Sequence, residues 1–361
     1  MGSFASQSEV ELQWDTAELR RALHDGVAQH EGGLVHVTPL ATQTRGGARY
    51  VRFAVLPNQP TGGVKAWLQA ARAISLTATA APAAVVWALG KWAGLPTFGA
   101  HALAALVGAV CLQVAVNLLN DVEDHERLID LPGTMGGAGV IQQGRLSAGA
   151  VQRGGYVMVA LGVVLGLPAV TATPGPLLGV GVAGVVGALG YSGWPFSFKY
   201  RALGDVAVAL LCGPVLTVGF ALAAFRSVPA FAYWVGAAFG ALAVGILHVN
   251  NTADVENDGA RGSRTLPMLL GDRGSRALLF VLYPAAFVAW GGAVHALALP
   301  LWVGFAPILS APLALRVLRP ALMARGLEQP REAGLRFTAA QAHLAFGVMA
   351  LIATGAALAL R

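Results

Sequence analysis

Four side chains at the end of a long apolar run could hold a cation together. They are Asn117, Asn120, Asp121 and Asp124, in "NLLNDVEDHERLID" (117–130). Their spacing is i, i+3, i+4 and i+7, so a helix presents them on one face. A second apolar run closes in "HVNNTADVEND" (248–258). There Asn250, Asn251, Asp254 and Asp258 stand at i, i+1, i+4 and i+8, within one arc of a helix. Each set aims two amides and two carboxylates in one direction. Like charges so close repel, and poor solvation beside lipid makes the repulsion worse, so a cation belongs among them. Oxygen ligands without His or Cys partners suit a hard ion, Mg2+ before Zn2+. Mg2+ is commonly held by a few carboxylates plus substrate phosphates, which implies a diphosphate bridged by Mg2+.

The simpler alternative is solvated charge at helix ends. Against it, eight of the twelve acids after residue 62 lie in these two stretches. Glu123 and Glu126 fall off the shared face and read as solvated charge, while Asp130 lies beyond the helix as a further candidate. A diphosphate also needs basic partners. Arg261 and Arg264 follow the second set, Lys199 and Arg201 lie in the loop after the fourth apolar run, and Arg72 opens the first run. Each has a plainer reading too: an arginine at a lipid boundary snorkels, and loop Lys and Arg set topology.

The elements that carry these residues follow from composition. The chain has 361 residues, 56% hydrophobic and 12% charged, where a soluble domain carries about 25% charged residues. That composition predicts an all-α polytopic membrane protein. Nine apolar segments approach the roughly 20 residues that a bilayer demands: 71–90, 97–119, 154–172, 175–192, 204–225, 229–250, 277–297, 300–318 and 338–360. The 46 glycines suit close helix packing in lipid. With the N-terminus cytoplasmic, sixteen Lys and Arg of the membrane part, Arg325 and Arg331 among them, flank the cytoplasmic side. Lys91, Arg226 and Arg361 flank the other. Topology therefore accounts for the net charge of +6 without nucleic acid. An odd helix count sends the C-terminus to the opposite side, and both acidic stretches fall on the cytoplasmic side, after helices two and six. Cys111 and Cys212 lie in apolar runs and read as packing residues. The first fifteen residues lack the apolar core of a signal peptide.

Residues 1–62 differ from the rest and read as a small cytoplasmic α/β extension ahead of a transmembrane domain over 63–361. "TAELRRALHDGVAQH" (16–30) predicts a short helix. "GGLVHVTPLA" and "ARYVRFAVLP" predict two strands joined at "TRGG". "NQPTGG" reads as the linker.

The two acidic stretches, with "GGAGVIQQGRLS", "YSGWPFSFKYRALGD" and "GSRTLP", resemble the UbiA superfamily of intramembrane prenyltransferases over about 65–361. Within it the sequence is most similar to the 1,4-dihydroxy-2-naphthoate prenyltransferases of menaquinone synthesis. The resemblance implies nine helices around a central cavity and Mg2+-dependent transfer from polyprenyl diphosphate to an aromatic acceptor in the plasma membrane. It implies Asp121, Asp124, Asp254 and Asp258 as catalytic metal ligands, with Asn117 and Asn250 assisting. It implies Arg72, Asn120, Asp130, Lys199, Arg201, Asn251, Arg261 and Arg264 around the substrates, and Tyr191 lining the pocket. The sequence departs from that pattern at Ala73, where the family often has proline, and at Ala253 and Ser263, where basic residues are usual. Those departures bear on the acceptor, so hydroxybenzoate, homogentisate, haem or a lipid alcohol stay open. The rival class is an ion-coupled transporter, which would place its acids near the midplane between inverted repeats.

Overall fold

The computed structural model describes residues 8–56, 62–131, 137–323 and 335–361. Part of the linker, and the loop arginines Arg325 and Arg331, lie outside the described residues. The chain divides into two compact units, residues 1–73 with 114–157, and residues 74–113 with 158–361.

The first unit contains the N-terminal module. Strands β1 (Glu9–Gln13), β2 (Val27–His30), β3 (Gly33–Arg45) and β4 (Ala48–Val55) form an antiparallel sheet in the order β1-β4-β3-β2. The expected hairpin is present. Gly46 and Gly47 take φ of 59° and 81°, the left-handed pair that a two-residue turn requires between twisted strands. The register slips between Pro39 and Ala41, where proline has no N–H to give the ladder. The predicted helix is shorter than expected. Helix α1 (Ala17–Asp25) starts at Thr16, whose hydroxyl accepts the Leu19 N–H, and stops at Gly26 with φ 71°. Residues 27–30 then turn into strand β2. Leu19, Ala22 and Leu23, at i, i+3 and i+4, join Val10, Leu12, Val51 and Phe53 in one core, with Leu128 and Leu131 from the first acidic stretch. Helix α2 (Val64–Ala70) follows the linker.

Nine described helices are long and apolar enough to cross a membrane: Ala73–Trp92, Gly99–Glu126, Ala148–Val170, Pro174–Ser192, Gly204–Phe225, Ala230–Ala253, Leu266–Ala296, Leu301–Pro320 and Leu335–Ala359. Each expected span has its helix. Within these spans and between them run α3 (Thr77–Trp92), α4 (Gly99–Glu126), α5 (Ala148–Val170), α6 (Pro174–Ser192), α7 (Gly204–Leu210), α8 (Leu216–Phe225), α9 (Ala230–Ala253), α10 (Val255–Ala260), α11 (Leu266–Ala296), α12 (Leu301–Phe305), α13 (Ala311–Met323) and α14 (Leu335–Ala359). The seventh span begins earlier than hydropathy suggests. The charged "GDRGSR" hides a first turn, which a left-handed Gly271 (φ 65°) sets off from the rest.

In the second unit α9 is the central helix. Phe231, Val235, Phe239 and Leu242 are buried along it, and Phe239 meets Phe346 of α14 edge-on at 5.6 Å. Small residues bring the fifth span close. A Cβ on Gly236 would lie 2.9 Å from Pro214 Cα, and one on Gly240 would lie 2.7 Å from the Ala209 carbonyl oxygen. That approach carries the start of α7 toward the end of α9.

Candidate functional site

The first set sits at the C-terminal end of α4, where exposed helix carbonyls and the helix dipole disfavour anions. Asp121 and Asp124 are nonetheless only 3% and 2% exposed. Arg72 supplies the positive charge. Its guanidinium donates to Asp121 Oδ1, and the Ala138 N–H donates to Asp121 Oδ2 at 3.1 Å. Burial works against the Arg72 charge, but the carboxylates of Asp121, Asp130 and Asp124 outweigh it and hold its pKa above the ordinary arginine value. A raised basic pKa keeps the guanidinium charged at neutral pH. Asn117 Nδ2 donates to the Ala71 carbonyl at 2.9 Å and fixes the Arg72 turn to α4. Asn120 Nδ2 donates to Asp124 Oδ2 at 2.9 Å.

Asp130 is also buried, and a sharp turn returns it to this cluster. The Ile129 N–H bonds the Asp124 carbonyl at 2.8 Å and the Leu128 N–H bonds the His125 carbonyl at 2.9 Å, with Leu128 at φ 58°. This is a Schellman ending with leucine in the place that usually takes glycine. The left-handed backbone costs a leucine about 1–2 kcal/mol. Burial of the side chain offsets that, since a fully buried leucine contributes about 1.5–3 kcal/mol and Leu128 is 1% exposed in the module's core. Opposite lies Gly137, at φ 61°. A Cβ there would lie 2.5 Å from Asp130 Oδ2 and 3.2 Å from Asp121 Oδ1, so only glycine passes between the two carboxylates. Gln69 holds this loop by donating to the Ala138 carbonyl at 2.7 Å, and Arg145 donates to Gln69 at 2.5 Å.

The second set departs from the helical arithmetic. Helix α9 ends at Ala253, Asp254 is its cap at φ −106° and ψ 9°, and Asp258 belongs to the separate α10. The run Asn-Asn-Thr-Ala-Asp is poor helix sequence, since these side chains compete for backbone bonds. The Asp258 N–H still bonds the Asp254 carbonyl at 2.8 Å, so the two stay one turn apart. Asn250 and Asp254 are half-buried and Asp258 is buried. Asn251 turns instead to Asp205, its Nδ2 lying 3.4 Å from Asp205 Oδ2. Behind it lies a network that sequence reading did not find. His248 Nδ1 is 3.3 Å from Asp205 Oδ1, and His248 Nε2 is 2.6 Å from Ser275 Oγ. The Thr252 hydroxyl is 3.2 Å from Ser275 Oγ. Three helices meet here, and His248 is 0% exposed.

The basic candidates around this set are joined by backbone. The Ala202 N–H bonds the Arg264 carbonyl at 2.7 Å and the Arg264 N–H bonds the Tyr200 carbonyl at 3.2 Å, so the loops bearing Lys199, Arg201 and Arg264 run side by side. Arg201 and Arg264 are exposed, and Lys199 lies with its Nζ 5.6 Å from the Tyr200 ring centre. Arg261 Nη1 donates to the Asn257 carbonyl at 3.2 Å and to its side chain. Tyr191 is buried at the end of α6, where a Cβ on Gly204 would lie 3.8 Å from its ring.

Glu123 pairs with Arg127 at 3.2 Å, as solvated charge does. Glu126 does more: it pairs with His24 of the module at 2.8 Å, while His125 Nε2 lies 3.1 Å from the Leu23 carbonyl.

The donors suit Mg2+. They are oxygens, and Gly137 keeps open a gap between two carboxylates that any Cβ would fill. Among the described residues no three His, Cys, Asp or Glu side chains form a ready chelate. An ion here would therefore draw the rest of its shell from phosphate oxygens and water.

Comparison with known proteins gives the family and the fold. The model of the UbiA prenyltransferase family matches residues 74–333. The 1,4-dihydroxy-2-naphthoate octaprenyltransferase of Haemophilus influenzae is 27% identical over 74% of this chain and 88% of its own length. The enzyme of that name from Mycobacterium tuberculosis is 29% identical over 72% and 87%. Among solved structures, a UbiA homolog from Archaeoglobus fulgidus bound to GPP and Mg2+ shares the fold, with a TM-score of 0.56 at 15% identity over 81% of this chain and 99% of that one.

Proposed function

The chain belongs to the UbiA prenyltransferase family, and on that premise we propose that it transfers a polyprenyl group from polyprenyl diphosphate to 1,4-dihydroxy-2-naphthoate, releasing diphosphate and CO2 and giving a demethylmenaquinone in its reduced, quinol form. The observation that carries the reading is the pair of Asn–Asp sets, one buried at the end of an apolar helix and the other running from the end of a second apolar helix into α10, with Asn251 and Asp258 buried and Asn250 and Asp254 half-buried. The naphthoate relatives support the acceptor. The GPP and Mg2+ bound to the archaeal homolog support the donor class and the ion.

Asp121, Asp124, Asp254 and Asp258 would hold Mg2+, with Asn117 and Asn250 beside them. When bound, the ion neutralises negative charge that builds on the departing diphosphate. Arg72, Lys199, Arg201, Arg261 and Arg264 add fixed positive charge for the same leaving group. Asn120 and Asn251 orient the carboxylates they touch, and Asp130 completes the first set. The allylic C–O bond ionises as diphosphate departs, the apolar helices keep water from the carbocation, and an electron-rich ring carbon attacks it, after which the C–carboxylate bond breaks and CO2 leaves with the ring's aromaticity restored. Tyr191 lines the pocket near the cation. The positive-inside bias supports a cytoplasmic N-terminus and active site, with the C-terminus opposite, in a bacterial plasma membrane.

The test is transfer of a radiolabelled polyprenyl diphosphate by protein in nanodiscs, with Mg2+ and either dihydroxynaphthoate or hydroxybenzoate. A lipophilic product from dihydroxynaphthoate, lost with EDTA, supports the reading. Product from hydroxybenzoate alone would change the acceptor and keep the reaction. No product from either, with folded protein, would overturn it.

A further inference from the structure

The turn after α4 uses a leucine where glycine would close the helix without strain. A side chain kept at such a position is kept for what it touches. Leu128 touches the N-terminal module: it lies in one core with Leu19, Leu23, Val51 and Phe53, and Leu131 joins the same core. These two leucines bracket Asp130. The segment is tied twice more, by His24 to Glu126 at 2.8 Å and by His125 to the Leu23 carbonyl at 3.1 Å. A further chain of bonds runs from the Thr38 hydroxyl to the Gln142 carbonyl at 2.9 Å, and from Gln142 Nε2 to the Asp130 carbonyl at 3.4 Å. Residues 1–73 and 114–157 accordingly form one compact unit, with the module and the first carboxylate set inside it.

We propose that the N-terminal module, residues 9–55, is a positioning element of the first carboxylate set. By burying Leu128 and Leu131 on either side of Asp130, it fixes that carboxylate beside Asp121 and Arg72 and so sets the affinity for a Mg2+-bound diphosphate. The inference rests on the diphosphate reading above. Side chains that orient metal-binding groups are held in turn by packing, and a loose support loosens the site. The module is thus a structural part of the binding end of α4. A tethered domain would leave Leu128 free to be glycine.

Leu128→Gly separates the two possibilities, because glycine keeps the turn, and even relaxes it, while removing the anchor. The measurement is calorimetric titration of the full chain in nanodiscs with inorganic pyrophosphate, across a series of Mg2+ concentrations. Leu128→Gly should weaken Mg2+-dependent binding by about ten- to a hundredfold, the loss typical when the support of a metal ligand is removed. Leu128→Met, which refills the core, should restore it. Val303→Ala, in the buried core of the second unit, serves as the control for lost stability and should bind as the unaltered protein does. Undiminished binding by Leu128→Gly, or an equal loss in Val303→Ala, would overturn the brace. Absence of Mg2+-dependent binding in the unaltered, folded protein would overturn the diphosphate reading itself, and the brace with it.

Discussion

At the end of α4 the carboxylates are held by a polar module, a loop and an arginine. Asp121 meets Arg72 and the Ala138 N–H, and the turn to Asp130 is pinned by Leu128. At the end of α9 the support is a network sealed among helices, Asp205, His248, Ser275 and Thr252, with Asn251 drawn into it. Each end has its histidine–carboxylate pair. His24–Glu126 is about a third exposed on both sides, while His248–Asp205 is 0% and 3% exposed. Similar donors can thus be fixed by opposite means, and the two ends should fail differently when their supports are cut.

The largest effect tests whether both ends serve one reaction. Asp121→Asn and Asp254→Asn should each reduce Mg2+-dependent transfer by at least about a hundredfold, as expected when a group that serves charge stabilisation is lost. Steady-state rates in nanodiscs would show it. If only one substitution were damaging, the two sets would not be equivalent and one would be structural. Next comes the buried support. His248→Ala takes the imidazole away from Asp205 and Ser275 inside the helices, where a buried polar group that loses its partner costs about 1–3 kcal/mol and the vacated space adds to the loss. The thermal unfolding midpoint should drop clearly, and activity should fall with the folded fraction. An unchanged midpoint would mean that Asp205 finds another partner, and the contrast between the ends would weaken.

A smaller effect is expected at Gly137. Alanine there takes a left-handed backbone at about 1–2 kcal/mol, and its Cβ presses on Asp130 and Asp121. About a tenfold rise in KM for the polyprenyl diphosphate should follow, with kcat much less changed. An unaltered KM would show that Asp130 moves aside freely and is not part of the binding surface.

These supports were unequally legible in the sequence. Nine spans could be read because length and hydropathy constrain a membrane helix more tightly than anything else does. The Asp121–Asp124 face could be read because α4 continues unbroken through it. The bond from Asn251 to Asp205 was not legible because the spacing rule assumes an isolated helix, and Gly236 and Gly240 bring Asp205 onto that side of α9. The partners of His248 come from residues 205 and 275, on two other helices, and no local pattern joins them. Glu126 read as solvated charge because its partner, His24, lies 102 residues away. Strand β1 was missed although "EVELQ" alternates; its paired strand β4 supplies the ladder that so short a run cannot form alone.

The smallest effect sharpens the comparison most. His24→Ala removes the exposed counterpart of the His248 pair. His24 and Glu126 are 37% and 35% exposed, so water and salt screen them in either state. Such a pair contributes about 0–1 kcal/mol. Thermal unfolding of His24→Ala should therefore lie close to that of the unaltered protein, and added salt should narrow the remaining gap. His248→Ala should show a large, salt-insensitive loss under the same conditions, because its pair is shielded from mobile ions. A loss in His24→Ala as large as that in His248→Ala would mean that the module grips α4 chiefly through this ion pair. The weight placed on Leu128 would then shift to Glu126. A small loss leaves the leucines as the grip, and places the sensitivity of the α4 end in packing and not in charge.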